Sequence, residues 1–310
     1  MESFLHSVSS VAIILMLTSV GYLCAAKGWM GPQSKAFLSK FLMVIAIPFM
    51  CIYGLTANLT REMILSSGRF LLVPFLAISL TFLLSFMAGK LLRLPRSKLG
   101  VFMMMCSLSN AIFIGYAMCS ELFGDACTPY VMLFYLVTSA FVQLLGISLV
   151  RWSGEAGGFS LSMLLRFFKA PTVWALLVGF VLVFADIPLP SLVISFSRYM
   201  NNLVTPLALL LTGYIIYEIG LRNLHMDRSL FTVLIFRFLL SPILCLALCH
   251  VFGITGLARS VLTVESSMPV VTQTVVAATE YGADAPYAAQ GAAISTLASF
   301  LVIPVLILLL

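Results

Sequence analysis

Charge is what this sequence has least of. Only 9% of its 310 residues are Asp, Glu, Lys or Arg, against about a quarter in a soluble protein. A water-soluble domain of this length needs a far more polar surface, so that class is excluded. Disorder is excluded by the same shortage, since its signature is low hydrophobicity with high charge. Paired cysteines are missing too. The seven present (24, 51, 106, 119, 127, 245 and 249) form no CxxC pair and read as small buried apolar residues, not as disulfide or metal partners. His6, His225 and His250 lie near helix ends without metal-ligand spacing. No HExxH, GxSxG or pair of acids on one helix occurs, so an intramembrane enzyme would lack its catalytic set.

What fills the chain instead is apolar: 62% of residues are Ala, Val, Ile, Leu, Met, Phe, Trp, Tyr or Cys. Crossing a bilayer takes about 20 such residues in a helix. Runs separated by charge, Gly or Pro give ten spans, at about 4–26, 36–55, 68–92, 98–122, 129–150, 168–186, 190–217, 229–252, 257–280 and 286–309. The first has no basic n-region and exceeds a signal-peptide core, so it reads as an uncleaved helix. The expected fold class is therefore an all-α polytopic membrane protein with ten transmembrane helices and the lipid bilayer as its solvent.

The net charge of +6 needs no nucleic acid to explain it. Connectors after spans one, three, five and seven hold Lys27, Lys35, Lys40, Lys90, Arg93, Arg96, Lys98, Arg151, Arg166, Lys169, Arg222 and Arg228. The even connectors hold only Arg61, Arg69 and Arg259. Because Lys and Arg mark cytoplasmic loops, the odd connectors are expected in the cytoplasm and both termini outside a cell membrane. The long connector at 151–167 reads as a hinge lying on the cytoplasmic interface.

The chain also repeats itself. Arg69-Phe70-Leu71-Leu72-Val73-Pro74 recurs as Arg237-Phe238-Leu239-Leu240-Ser241-Pro242. Gly21 matches Gly179, Lys40 matches Arg198, and Pro48 matches Pro206, each 158 residues on. One residue further, Asn110 falls on Pro269, Glu121 on Glu280 and Asp125 on Asp284. Five helices is an odd number, so the second copy must enter from the opposite face. The expectation is a 5+5 inverted repeat, 1–150 and 168–310, as in many secondary transporters.

Interrupted helices at matching places in two halves are the best sequence pointer to a transport site. The second and seventh spans offer Ile45-Ala46-Ile47-Pro48 and Leu203-Val204-Thr205-Pro206, read as helix breaks at Pro48 and Pro206. The fourth and ninth offer the more polar pair, 107–115 and 265–273, with Ser107, Ser109, Asn110, Gly115, Glu265, Ser266, Ser267, Pro269, Thr272 and Gln273. A half-helix aims the positive end of its dipole and its free N–H groups at the gap, which favours a carboxylate. Ser109, Asn110, Gly115, Ser267, Pro269 and Gln273 are thus the expected substrate site. Glu265 lies inside an apolar helix, where an acid is costly and functional by default. It is read as carrying a coupled proton or ligating a cation such as sodium, against a structural pairing with Arg237. Arg69, Arg237, Lys40 and Arg198, all near helix ends, are expected to snorkel to the interface.

At these residues the chain resembles the auxin efflux carrier family, of the bile-acid/arsenite/riboflavin transporter superfamily. Gly21-Tyr22-Leu23 with Lys27-Gly28-Trp29 resembles its first helix, and Ala46-Ile47-Pro48 its second. Ser109-Asn110 with Gly115 resembles its fourth, Thr205-Pro206-Leu207-Ala208-Leu209 with Gly213 its seventh, and Met268-Pro269 with Glu280-Tyr281-Gly282 its ninth. One position departs: Ala117 stands where the family carries a proline, so the fourth-helix break would rest on Asn110 and Gly115. The resemblance implies that helices four and nine cross as broken helices in a mobile domain (three to five, eight to ten). Helices one, two, six and seven would be the scaffold, and a homodimer would form through them. It also implies transport of small organic anions, such as malate and malonate in bacteria or auxin in plants, without a cofactor or metal. A channel or membrane receptor for a small organic ligand is the alternative, an intramembrane enzyme a remoter one.

Overall fold

Prolines open many of the helices, because a helix leaves its first N–H groups unbonded and proline has none to leave. Pro32 and Pro171 sit in first turns, while Pro95 and Pro190 are N-caps. The computed structural model describes residues 2–59, 61–154, 168–220 and 224–307, with the side chains of 2–8 and 61–67 left aside. These form α1 (Glu2–Ala26), α2 (Pro32–Asn58), α3 (Arg61–Leu91), α4 (Arg96–Ser107), α5 (Ala111–Phe123) and α6 (Asp125–Ser153). Beyond residue 168 come α7 (Pro171–Phe184), α8 (Ser191–Ile219), α9 (Arg228–Val251), α10 (Gly256–Ser266), α11 (Gln273–Glu280) and α12 (Ala285–Ile307). Most of the expected hinge, 155–167, lies outside the described residues.

Seven of these helices are long and apolar enough to cross a bilayer unaided: α1, α2, α3, α6, α8, α9 and α12. Of the ten spans read from the sequence, three are not continuous helices of spanning length. The fourth run is divided into α4 and α5, the ninth into α10 and α11, and the sixth is the 14-residue α7. Many large apolar side chains face outward, among them Leu83, Met87, Trp174, Val181, Leu192 and Leu301. Such a surface suits hydrocarbon and would be a liability in water.

Neither Pro48 nor Pro206 breaks its helix. Pro206 lies within an uninterrupted α8. Pro48 follows a π-helical turn, Leu42–Ala46, that carries α2 past it without a gap. Extra-wide turns of this kind absorb the missing N–H, as membrane helices commonly do.

Packing sorts the helices into two groups. In one, α1 lies along α8, and both α7 and α8 lie along the second half of α2. The α1–α8 contact is backbone to backbone: a Cβ on Gly21 would come within 2.8 Å of Leu210 Cα, and one on Gly213 within 2.6 Å of Tyr22 N. Gly179 of α7 is closed in the same way by Leu55 of α2, 2.7 Å from where its Cβ would be. In the other group α3 packs on α4, α6 and α9, and α9 packs on α10. Three apolar clusters fill the interior, the smallest around Val73, Phe134 and Leu262. The largest holds Ile14, Leu42, Ile47, Met50, Ile114, Met118, Val204 and Val261. The second holds Phe82, Phe102, Met104, Phe236, Ala278 and Tyr287.

Candidate functional site

The chain leaves α10 for reasons written in its own residues. Ser266 and Ser267 turn their hydroxyls back onto Thr263 O and Val264 O, both at 2.7 Å, and so compete for last-turn carbonyls. Pro269 then bars the helical conformation to Met268 and has no N–H to continue with. In α4 the exit is at Leu108, which is extended (φ −112°, ψ 128°). The departure comes before Asn110, two residues earlier than a break resting on Asn110 and Gly115 requires. Ala117, at the family's proline position, is buried inside α5.

The two exits meet. Ser109 and Val270 form an isolated antiparallel bridge, with Asn110 N–H donating to Pro269 O at 2.8 Å and Val271 N–H to Leu108 O at 3.2 Å. Val270 N–H, pointing the other way, donates to Ser295 Oγ of α12 at 3.1 Å. Backbone groups that a helix would have satisfied are thus paired across the junction. α5 and α11 start from this junction, so the N-terminal ends of both face it.

A cavity of about 40 Å³ adjoins the bridge, lined by Ser109, Asn110, Thr138, Thr272 and Gln273 together with the apolar Met43 and Val142. Asn110 Nδ2 donates to Thr272 Oγ1 at 3.3 Å. Ser109 Oγ, Thr138 Oγ1 and Gln273 Oε1 are buried there without a partner. A buried polar atom left unpaired costs about 1–3 kcal/mol, so these three make the cavity wall a polar surface within an apolar surround. Of the expected site residues, Ser109, Asn110 and Gln273 line this cavity. Pro269 contributes its carbonyl to the bridge, Ser267 is spent on its own helix, and Gly115 lies elsewhere.

Gly115 instead makes room for Glu265. A Cβ there would sit 2.7 Å from Glu265 Oε1, so only glycine lets the carboxyl lie against α5. Glu265 is fully buried. Cys119 Sγ–H donates to Oε1 at 3.5 Å, and Oε2 has no partner. The structural pairing with Arg237 is not present.

Arg237 does not snorkel. It is 1% exposed, and a π-helical turn in α9, Phe236–Leu240, carries it inward. Its Nε and Nη2 donate to Met268 O at 2.9 and 2.7 Å, Nη2 also to Ser266 O at 2.7 Å, and Nη1 to Cys106 O at 3.3 Å. The side chain thereby caps the C-terminal ends of both α4 and α10, where carbonyls are orphaned and a cation is favoured. Sequence reading missed this role, as it missed Thr138 and Ser295. A basic residue repeated at Arg69 gave no sign that one copy, Arg69, stays exposed while the other is buried.

An all-helical chain with seven helices long and apolar enough to cross a membrane and a polar cavity where four helix ends meet has the organisation of a membrane transporter. The comparisons agree: the chain belongs to the Membrane transport protein family, the auxin efflux carriers, whose family model matches residues 6–307. It is 28% identical over 300 residues to an uncharacterized transporter of Methanocaldococcus jannaschii, covering 94% of this chain and 95% of that protein. A second uncharacterized transporter, of Methanothermobacter thermautotrophicus, is 23% identical and covers 97% of both chains. The uncharacterized transporter YfdV of Escherichia coli K12 is 23% identical over 184 residues, 57% of this chain and 58% of its own.

Proposed function

We propose that the protein is a secondary active carrier of small organic anions, mono- or dicarboxylates such as malate or malonate, working by alternating access at the Ser109–Val270 junction. The observation that carries this reading is the cavity itself. Two helix N-termini open onto it, and Asn110, Gln273, Ser109 and Thr138 offer it an amide donor and unpaired polar atoms. The N–H groups of the two amides and the hydroxyls of Ser109 and Thr138 can donate to a carboxylate. At about 40 Å³ the cavity holds roughly three waters, so a carboxylate enters only when the surrounding helices part. This is what an alternating-access cycle requires.

In this reading α4 with α5 is the fourth helix of ten, α10 with α11 the ninth, and the halves are a 5+5 inverted repeat. The contacts support it. An inverting two-fold carries the α1–α8 pair onto the α7–α2 pair, and the matching glycines Gly21 and Gly179 lie at those two close approaches. Helices α1, α2, α7 and α8 would be the scaffold, and a homodimer through them the assembly. The other helices form the moving part, in a cell membrane with both termini outside.

Glu265 is the coupling group in this reading, taking a proton or a sodium ion. An unpaired carboxyl oxygen in an apolar setting supports such a role. Counterflow in liposomes tests the carrier. Labelled carboxylate accumulates transiently against its gradient when unlabelled substrate is inside, and a channel gives no such overshoot. With Glu265→Gln, exchange is retained and uptake driven by a pH gradient is lost. A folded Glu265→Gln protein that still responds normally to the gradient removes proton coupling from this residue.

A further inference from the structure

A second, smaller cavity borders the junction. It is lined by Arg237, Thr81, Ser107, Ser109, Ser241 and Ser266, with apolar walls from α3 and α6. Two of these hydroxyls, Ser109 Oγ and Ser241 Oγ, are buried and unpartnered. Both residues are more than nine-tenths buried, at 2% and 4% exposure. Arg237 has five N–H donors. Its bonds to Met268, Ser266 and Cys106 engage Nε, Nη2 and one N–H of Nη1, which leaves one Nη1 donor over.

The charge is a larger imbalance than the donor. Arg237 makes no ion pair with any described acid, and the carboxyl on the neighbouring helix, Glu265, bonds to Cys119 instead. The two helix C-termini that it caps offset part of the positive charge, but no described counter-ion faces it, and a buried cation without one is costly. Water in the cavity would fill the donors and leave the charge. A cavity of about 10 Å³ is about the space of one water-sized sphere, too small for any carboxylate. A monatomic halide is larger than water but far smaller than a carboxylate, and the serine hydroxyls can rotate towards it.

We propose that this cavity is a site for one chloride-sized monovalent anion, held by Arg237 with the hydroxyl of Ser241, which neutralises the guanidinium that clamps α4 and α10 together. The ion is part of the fold, distinct from the transported carboxylate. Ser241 does not line the 40 Å³ cavity, so its variants separate the two sites.

The test is the melting temperature of the purified protein in gluconate, titrated with chloride or bromide at constant ionic strength. An ion that binds only the folded state raises the melting temperature with its concentration. The wild type is expected to show a rise with chloride and bromide that is absent in Ser241→Val, where the added methyls fill the cavity. Ser241→Ala, which removes the hydroxyl alone, should need about tenfold more chloride or more for the same rise. It also serves if Ser241→Val does not fold. Bromide soaked into crystals of the wild type should give an anomalous peak between Arg237 and Ser241. A wild type indifferent to chloride, an equal rise in wild type and both variants, or no bromide peak would each overturn the site. Loss of carboxylate counterflow with the chloride effect intact would instead overturn the carrier reading alone.

Discussion

Gly115 and Glu265 touch across two helices, and a thermodynamic cycle on that contact has a definite expected sign. Gly115→Ala places a methyl carbon where it would be 2.7 Å from Glu265 Oε1 and 2.8 Å from Cδ. The carboxyl is fully buried and has nowhere open to retreat, so the change is overpacking, worth about 1–3 kcal/mol. Against this, alanine gains up to about 1 kcal/mol over glycine in a helix. The single variant should therefore be only moderately destabilised. Glu265→Ala vacates the space the methyl needs. In that background the clash vanishes while the helix gain remains, so Gly115→Ala should become neutral or stabilising. The propensity gain is common to both backgrounds and cancels, leaving the clash itself as a coupling of about 1–3 kcal/mol. Equilibrium unfolding of the four proteins in mixed micelles measures it. Additive effects would mean that Glu265 does not lie against α5.

Removing the clamp should be severe: Arg237→Met leaves the carbonyls of Cys106, Ser266 and Met268 unpaired, at about 1–3 kcal/mol each, and monodisperse protein should be lost on size-exclusion chromatography. Single cysteines at the exposed Ser97 and Thr255, on a background without the native seven, should be labelled from inside and outside respectively; the reverse pattern would invert the topology. Asp227 caps α9 by accepting from Leu230 N–H and Ser229 Oγ, both at 2.7 Å. Burial pushes its carboxyl up, but these bonds and Lys98 hold it below the ordinary 3.8. A lowered folded-state value means the cap stabilises fully at neutral pH and fades as pH falls through the acid range below 3.8. Asp227→Ala should cost about 1 kcal/mol at neutral pH and flatten that acid dependence, read from melting temperature against pH.

The apolar spans were legible because a bilayer allows little else: a 20-residue run without charge has few alternatives. The exit at Met268 was legible because two serines and a proline cluster there, each with a local reason to leave the helix, whereas the exit at Leu108 comes two residues before the expected break at Asn110. Proline alone was a poor guide. Pro48 and Pro206 lie in helices that absorb them, whereas Pro269 follows two serines that have already taken the last-turn carbonyls. What could not be read was anything set by distant partners. Arg237 is buried by carbonyls 29 to 131 residues away, and Gly115 was assigned to the substrate because its contact with Glu265 spans 150 positions of chain. Thr138 and Ser295 gave no signal, being ordinary hydroxyls in apolar helices until the fold turns them towards the junction.

The most direct test of the carrier account is the affinity of the best ligand in a panel of mono- and dicarboxylates, measured from its effect on melting temperature in three proteins: the wild type, Asn110→Ala and Gln273→Ala. Each variant removes one amide that lines the cavity and leaves most of the packing in place. The account predicts that each binds roughly ten- to a hundredfold more weakly, as the loss of one hydrogen bond to a charged group implies, with ligand-free melting temperatures shifted far less. If both variants bind the carboxylate as tightly as the wild type, the substrate does not sit where α5 and α11 begin, and the account fails.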